Sequence, residues 1–253
     1  MILRFLKFIN FLTNYFYKLK FLRFNQHFNG TCVIKYKNKY IKVSFSKYGK
    51  YLINNEIKGY NWYLKKIKLI KKLKFKKTFL FSQIKTDQFR GVKKSYKDSV
   101  VTNSNFILLA LKHYEKVWEK KNKVFCHGDL TFENIIFDEN NNKTYFIDWE
   151  NFKVKKEDWG FDIVYLLLSS LILPNISKNE INQKDLKHFS ILWSKIKKKI
   201  KSPKMKKNPL LNSEEKFKKD TYWKNLSKSA PRKFFINVMS KKLRLEITKI
   251  FDK

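Results

Sequence analysis

The segment that decides the fold reads HGDLTFEN at residues 127–134 and is followed by FIDWE at residues 146–150. A short β-rich stretch at 124–126 precedes it, and the turn-forming sequence DENNN at 138–142 separates its two parts. This pattern predicts a strand, a loop and an antiparallel hairpin with strands at 134–137 and 144–147. Such a hairpin would bring Asp129, Asn134 and Asp148 to one edge.

These three residue types are the ones that phosphoryl transfer requires. One carboxylate orients the acceptor hydroxyl and accepts its proton, while a carboxylate and an amide hold magnesium against the nucleotide phosphates. Magnesium prefers oxygen ligands and takes only one or two carboxylates from protein. The alternative interpretation is structural, with Asp129 capping a turn, Asn134 in a polar loop and Asp148 ending a strand. Motif, order and predicted hairpin together favour catalysis.

The segment resembles the catalytic region of the aminoglycoside phosphotransferase and choline kinase family, and it also resembles the lipopolysaccharide-core sugar kinases. That family carries a His-Gly-Asp loop, an Asn five residues after the Asp, and an Ile-Asp-Trp/Phe-Glu-like metal motif. The resemblance implies that Asp129 is the catalytic base, that His127 braces the catalytic loop, and that Asn134 and Asp148 are the magnesium ligands. It also implies that Asp162 opens a helix and braces the loop, which is compatible with an N-cap role.

The same resemblance implies an α+β, protein-kinase-like two-lobed fold, with a small antiparallel β N-lobe and a mainly helical C-lobe. The expected organisation is an amphipathic helix at 1–24, a small nucleotide-binding lobe at 25–90, and a helical catalytic and substrate lobe at 91–253. Local patterns predict strands at 31–36, 39–45 and 79–83. They predict helices at 51–70, 106–121 and 162–173, and a lysine-rich helical region beyond 178.

Upstream of the loop, the predicted cofactor-binding residues are Lys42, Glu56 and Gly30. Lys42 lies in the strand Tyr-Ile-Lys-Val and resembles the phosphate-contacting lysine of the family, and Glu56, near the start of the next helix, resembles its ion-pair partner. Gly30 is what remains of a glycine-rich phosphate loop. Lys42 could instead be a solvated lysine on an edge strand, and Lys35 and Lys39 are alternatives. The implied cofactors are ATP, or GTP, and Mg²⁺.

The chain of 253 residues has 57 Lys and Arg against 21 Asp and Glu, a net charge of +36. This excess indicates either attraction to polyanions or A/T-rich codon usage spread over a solvated surface. The sequence has no zinc-ligand spacing, aromatic RNP-like strand or basic zipper, so specific nucleic-acid binding is not expected. Cys32 and Cys126 are far apart in the chain, which suits a reducing, cytoplasmic compartment rather than a disulfide scaffold.

Two apolar segments bear on membrane association. The longest uncharged run, residues 163–177, is too short to span a bilayer and predicts a buried helix. Residues 1–24 combine a basic stripe with a broad apolar face, which suits a helix lying on the inner face of an anionic membrane. The alternative is that this helix packs onto the protein with its lysines in water.

We therefore expect an ATP-dependent kinase that phosphorylates a hydroxyl of a small molecule or a cell-envelope sugar. The linker from Asp148 to Asp162 is too short for an activation segment and no Ala-Pro-Glu follows, which disfavours a protein kinase. The alternatives are a choline/ethanolamine-type or aminoglycoside-type kinase, with acids such as Glu150, Glu157 and Asp158 around a cationic acceptor, a non-catalytic pseudokinase, and an anion-tethering basic protein. The oligomeric state is left open.

Overall fold

The structure, a computed structural model, describes residues 22–26, 31–36, 38–69, 73–95, 103–121, 123–174, 181–199 and 249. Gly30, residues 1–21 of the predicted N-terminal helix and almost all of the chain beyond 199 lie outside these residues. The chain divides into two compact units, Met1–Phe89 and Arg90–Lys253. None of the helices within the described residues is both long and apolar enough to cross a membrane.

The N-terminal unit contains an antiparallel sheet with the strand order β1-β2-β3-β5-β4. Its strands are β1 (Leu22–Gln26), β2 (Thr31–Tyr36), β3 (Lys39–Ser44), β4 (Lys74–Lys77) and β5 (Ser82–Asp87). Helix α1 (Lys47–Lys66) follows β3 directly, and the side chain of its N-cap residue, Ser46, accepts a hydrogen bond from the Gly49 N–H at 2.9 Å. Apolar residues of α1, including Leu52, Ile53 and Leu64, are buried.

Several predictions for this unit need correction. Strands β2 and β3 are confirmed, but residues 22–24, predicted as helical, pair with β2 because sheet pairing overrides a local helical pattern. Helix α1 begins at Lys47 rather than at residue 51, since Ser46 caps it, so Glu56 lies in the middle of the helix and not near its start. The strand predicted at 79–83 is displaced to β5, and β4 was missed.

The C-terminal unit is mainly helical. Its helices in the described residues are α2 (Ser104–Val117), α3 (Phe161–Ile172) and α4 (Gln183–Lys199). Every residue of α3 is buried, which confirms the predicted core helix, and α4 confirms a helix beyond 178. The predicted α+β class, with a small antiparallel sheet in the N-terminal part and a mainly helical C-terminal part, is confirmed.

Two antiparallel strand pairs position the loop of the C-terminal unit. Strand β6 (Lys123–Cys126) pairs with β9 (Lys153–Asp158), which was missed, and β7 (Ile135–Asp138) pairs with β8 (Lys143–Phe146). The predicted hairpin is thus confirmed with its ends shifted by one residue. Asn134 ends a short 3-10 helix, Phe132–Asn134, rather than starting β7. In the hairpin turn the Asp138 carboxylate accepts hydrogen bonds from the backbone N and the side-chain Nδ2 of Asn141 at 3.2 and 2.9 Å.

Candidate active site

A buried carboxylate holds the start of the loop that follows β6. The His127 N–H donates to Asp162 Oδ2 at 2.9 Å, and the Gly128 N–H donates to Asp162 Oδ1 at 3.0 Å. Asp162 is fully buried, and a buried carboxylate is stable only when such hydrogen bonds replace its hydration. The predicted bracing contact is therefore present. The N-cap role is wrong, because Gly160 is the N-cap of α3 and Asp162 is its second residue.

Gly128 is required by the backbone at this point. Its φ of 88° lies in the left-handed region that glycine adopts readily. A Cβ at this position would also collide with the backbone carbonyl oxygen of Asn151. Both constraints follow from the course of the loop, which turns sharply after His127 so that consecutive N–H groups face Asp162.

His127 is a neutral brace between the loop and the β8 end of the hairpin. It is fully buried, and its Nε2 lies 2.8 Å from the carbonyl oxygen of Ile147. A carbonyl can only accept, so Nε2 carries the proton and Nδ1 accepts the N–H of Asp129 at 3.4 Å. Burial lowers the pKa of His127 to about 4, against the opposing effects of the Ile147 hydrogen bond and the Asp148 charge. The ring packs on Trp149, with 4.5 Å between centroids.

The Asp129 carboxylate is oriented by two neighbouring side chains. The Tyr165 hydroxyl donates to Asp129 Oδ1 at 3.0 Å. The Asn134 Nδ2 donates to the backbone oxygen of Asp129 at 2.7 Å and lies 3.5 Å from its Oδ2. Asp129 is buried, 8% exposed, and the contact to its Oδ1 is the shorter of these two carboxylate contacts. That arrangement suits a carboxylate that must accept a proton in a fixed direction.

Asp148 is brought beside Asn134 by an extension of the hairpin ladder. The Ile147 N–H donates to the Asn134 carbonyl at 2.9 Å, one step beyond the Ile135–Phe146 pair. Asp148 follows in a left-handed conformation, φ 63° and ψ 63°, and precedes the short 3-10 helix Trp149–Asn151. The structure thus brings Asp129, Asn134 and Asp148 to one edge of the hairpin, as the spacing predicts.

The oxygen atoms at this edge fit a magnesium ion by their chemistry. Asn134 uses its amide nitrogen to hold Asp129, and among the residues that the structure describes none donates a hydrogen bond to its Oδ1. An amide oxygen and the half-buried carboxylate of Asp148 are the hard oxygen donors that Mg²⁺ selects. Their role as ligands stays a prediction.

In the N-terminal unit, Lys42 and Glu56 form an ion pair. Lys42 Nζ lies 2.8 Å from Glu56 Oε2, and the two side chains are 13% and 6% exposed. Lys42 lies on β3, which has β2 on one side and β5 on the other, so the edge-strand alternative is wrong. Of the alternatives, Lys39 is exposed and the Lys35 ammonium lies 5.6 Å from the centre of the Tyr40 ring. Contact of Lys42 with a nucleotide stays a prediction.

Tyr165 is the functional candidate that sequence reasoning missed. It lies three residues after Asp162 on α3, and residues three apart share a helix face. If Asp162 reaches the loop, a long polar side chain one turn later can reach it too. The three-residue spacing could therefore have predicted that Tyr165 contacts the loop, but only once Asp162 is known to contact the loop.

Replacing Asp162 with Asn should loosen the loop. The change removes the charge and places an amide group where two N–H donors need acceptors, so we expect a loss of about 3 kcal/mol in the free energy of unfolding. Asp138→Asn is the matched control at the hairpin turn, with an expected loss of about 1 kcal/mol. Urea unfolding measures both, and equal losses would contradict the bracing role.

Acid should destabilise the protein through two histidines, the fully buried His127 and the half-buried His113. Burial, and for His113 also the charge of Lys116, lowers the pKa values of His113 and His127 to about 4. An unfolded histidine titrates near roughly 6.5. Between these values only the unfolded chain binds the proton, so the stability present above about pH 6.5 is lost as the pH falls towards 4, by roughly 3 kcal/mol per histidine.

The variant His113→Gln isolates one of these protons without touching the loop. The slope of the unfolding free energy against pH, measured in urea from pH 4 to 7, gives the number of protons taken up on unfolding. At the acidic end this number should be lower by about one in His113→Gln than in the native protein. An unchanged pH slope in this variant would show that His113 is protonated in the folded protein.

Residues 77–181 match a family model described as "Phosphotransferase enzyme family" (APH). No curated protein matches the chain. Among solved structures, the chain resembles the choline kinase LicA from Streptococcus pneumoniae, with 15% identity, 97% of this chain and 98% of that chain covered, and a TM-score of 0.41. It also resembles APH(2")-IIa in a ternary complex with streptomycin and ATP, with 12% identity, coverage of 95% and 96%, and a TM-score of 0.41.

The matched residues include the loop, the β7–β8 hairpin, Asp148 and helix α3, so the match spans the whole site of the C-terminal unit. The resemblance to this phosphotransferase family that was drawn from the sequence is therefore confirmed for residues 77–181.

Proposed function

We propose that the protein transfers the γ-phosphoryl group of ATP to a hydroxyl group of a small molecule or a cell-envelope sugar. The observation that carries the proposal is the Asp129 carboxylate, which is held by Tyr165 and Asn134 in a loop whose start is braced by a second buried carboxylate, Asp162. The match to a phosphotransferase family over these residues supports it.

In this proposal Asp129 positions the acceptor. With Oδ1 held by the Tyr165 hydroxyl, Oδ2 accepts the hydrogen of the acceptor hydroxyl and directs its oxygen for in-line attack. His127 is neutral, so it contributes no charge and serves to hold the Asp129 backbone. Positioning and electrostatic stabilisation are the main contributions that a protein makes to phosphoryl transfer.

Bound Mg²⁺ supplies positive charge that offsets the charge developing on the phosphates. Asn134, through Oδ1, and Asp148, through its carboxylate, would hold it. Two hydrogen bonds hold the backbone of Ile147, the residue before Asp148. The Ile147 N–H donates to the Asn134 carbonyl, and the Ile147 carbonyl accepts from His127 Nε2. Lys42, held by Glu56, is the proposed contact to nucleotide phosphates, with GTP as an alternative to ATP.

The acceptor class is proposed from charge. A chain of net charge +36 suits an acidic or envelope-bound acceptor better than a cation, and an envelope acceptor places the enzyme at the inner face of a membrane. A choline/ethanolamine-type or aminoglycoside-type acceptor is the alternative. Glu150, which lies directly after Trp149 in the 3-10 helix, and Glu157 on β9 are the candidate acids for such a cation.

Replacing Asp129 with Asn should separate binding from transfer. We expect turnover to fall by about 10²–10⁴-fold because the proton acceptor is lost, while magnesium-dependent ATP binding is retained. Labelled ATP with a panel of sugars, envelope glycolipids, choline and aminoglycosides measures transfer, and Asp138→Asn is the matched control. Surviving turnover in Asp129→Asn would contradict the base assignment, and ATP binding without any hydrolysis or transfer by the native protein would favour the pseudokinase alternative.

Replacing Tyr165 with Phe should impair transfer without loss of nucleotide binding. We expect kcat to fall about tenfold, and the acidic limb of the kcat/KM profile to move to higher pH, because the phenol no longer stabilises the ionised carboxylate. Tyr114→Phe is the matched control, since that buried hydroxyl contacts the Gly160 N–H instead of Asp129. An identical pH profile in native protein and Tyr165→Phe would show that the hydroxyl is merely structural.

A further inference from the structure

The turn between β4 and β5 presents large apolar side chains to solvent. Phe79 is 95% exposed and Leu80 is 69% exposed. The turn itself is ordered, since the Thr78 N–H donates to the Phe81 carbonyl at 2.8 Å and the Phe81 N–H donates to Thr78 Oγ1 at 3.0 Å. Two adjacent apolar side chains held out by a closed turn are unfavourable in water unless something else covers them.

The first turns of α1 lie beside this turn. Lys50 Nζ donates to the backbone oxygen of Phe79 at 2.7 Å, and the rings of Phe45 and Phe81 lie 6.0 Å apart. Tyr48 and Tyr51, both largely exposed, stack on each other along the same part of the helix. Residues 45–51 and 74–81 therefore form one surface, called here the hairpin-tip surface.

The charge of this surface has one sign. It contains five lysines and no acidic residue. Each residue of β4, which supplies three of these lysines, is exposed. The one acid of α1, Glu56, is buried against Lys42, and Asp87 lies at the opposite end of β5 from the turn. The exposed apolar side chains thus share the hairpin-tip surface with lysines, and residues 45–51 and 74–81 supply no acidic side chain to neutralise that charge.

We propose that the hairpin-tip surface docks the protein onto an anionic lipid bilayer. Phe79 and Leu80 would enter the boundary of the acyl chains, while the two tyrosines suit the headgroup level, where a ring with a polar end is favoured. Lysines beside inserted apolar groups attract anionic headgroups.

Other occupants fit the surface less well. Strand β4 is at the edge of the sheet, and its lysines disfavour strand pairing with a second copy of the chain. A nucleic acid would engage the lysines but would leave the aliphatic Leu80 without a partner. A bilayer is the partner that satisfies both the apolar tip and the charge.

Vesicle sedimentation of the full chain tests the proposal. Vesicles of phosphatidylcholine alone are compared with an equimolar mixture of phosphatidylcholine and phosphatidylglycerol. We expect binding only to the mixture, reduced at least about tenfold by Phe79→Ser with Leu80→Ser, because two apolar side chains no longer insert. Lys76→Glu with Lys77→Glu should reduce it by a similar factor of about ten at low salt.

The controls match these changes on α4 of the other unit. Ile191→Ser removes an exposed apolar side chain, and Lys184→Glu with Lys187→Glu reverses two exposed charges. Both controls should bind the mixed vesicles as the native protein does. All these positions are exposed, and circular dichroism confirms that each variant is folded.

Three results would overturn the proposal. The first is equal binding to both kinds of vesicle, or binding to neither. The second is that the variants at Phe79 and Leu80 or at Lys76 and Lys77 bind the mixed vesicles as the native protein does. The third is a dimer, or a complex with an RNA oligonucleotide, that dissociates when Phe79 and Leu80 are replaced. The assay uses no nucleotide or acceptor, so its failure leaves the proposed phosphotransferase reaction untouched, and loss of transfer activity leaves the docking surface untouched.

Discussion

Two consecutive backbone N–H groups donate to the one buried carboxylate of Asp162, and the arrangement of the loop depends on this interaction. A fully buried carboxylate loses its hydration, so its two oxygens require fixed donors. His127 and Gly128 provide both, which fixes the position and the direction of the chain just before Asp129. Because Asp162 is on helix α3, the same contact sets the loop at a defined height on that helix, one turn below Tyr165.

The remaining contacts follow from that anchor. With its backbone held, the His127 side chain can reach only inwards, where Nε2 bonds to Ile147 and Nδ1 faces the N–H of Asp129. A protonated ring would lack an acceptor at Nδ1 and would place two donors together, so the neutral form is required by the geometry as well as by burial. One imidazole thereby links the loop to the end of the hairpin on which Asp148 lies.

The sequence predicts those site residues that are set by local patterns, and it misses those that are set by contacts between residues far apart in the chain. His127, Asp129, Asn134 and Asp148 are placed by a local motif and a hairpin turn, and these features can be read from neighbouring residues. Tyr165 lies in a helix that is apolar almost throughout and buried at every position, so no periodicity distinguishes its hydroxyl, and its contact with Asp129 spans 36 residues. Strands β4 and β9 were missed because their lysine-rich sequences form strands only through pairing with β5 and β6.

In a chain with this excess of lysine, buried acids carry more information than bases do. A surface lysine is stable almost anywhere, so Lys35, Lys39 and Lys42 cannot be ranked by sequence pattern alone. A buried carboxylate must find donors or a cation, which limits the places where it can lie. The ion pair with Glu56 distinguishes Lys42 from Lys35 and Lys39. Asp162 holds the loop by accepting hydrogen bonds from the His127 and Gly128 N–H groups. The scarce acids therefore identify the candidate functional contacts, whereas the lysine excess is spread too widely to do so.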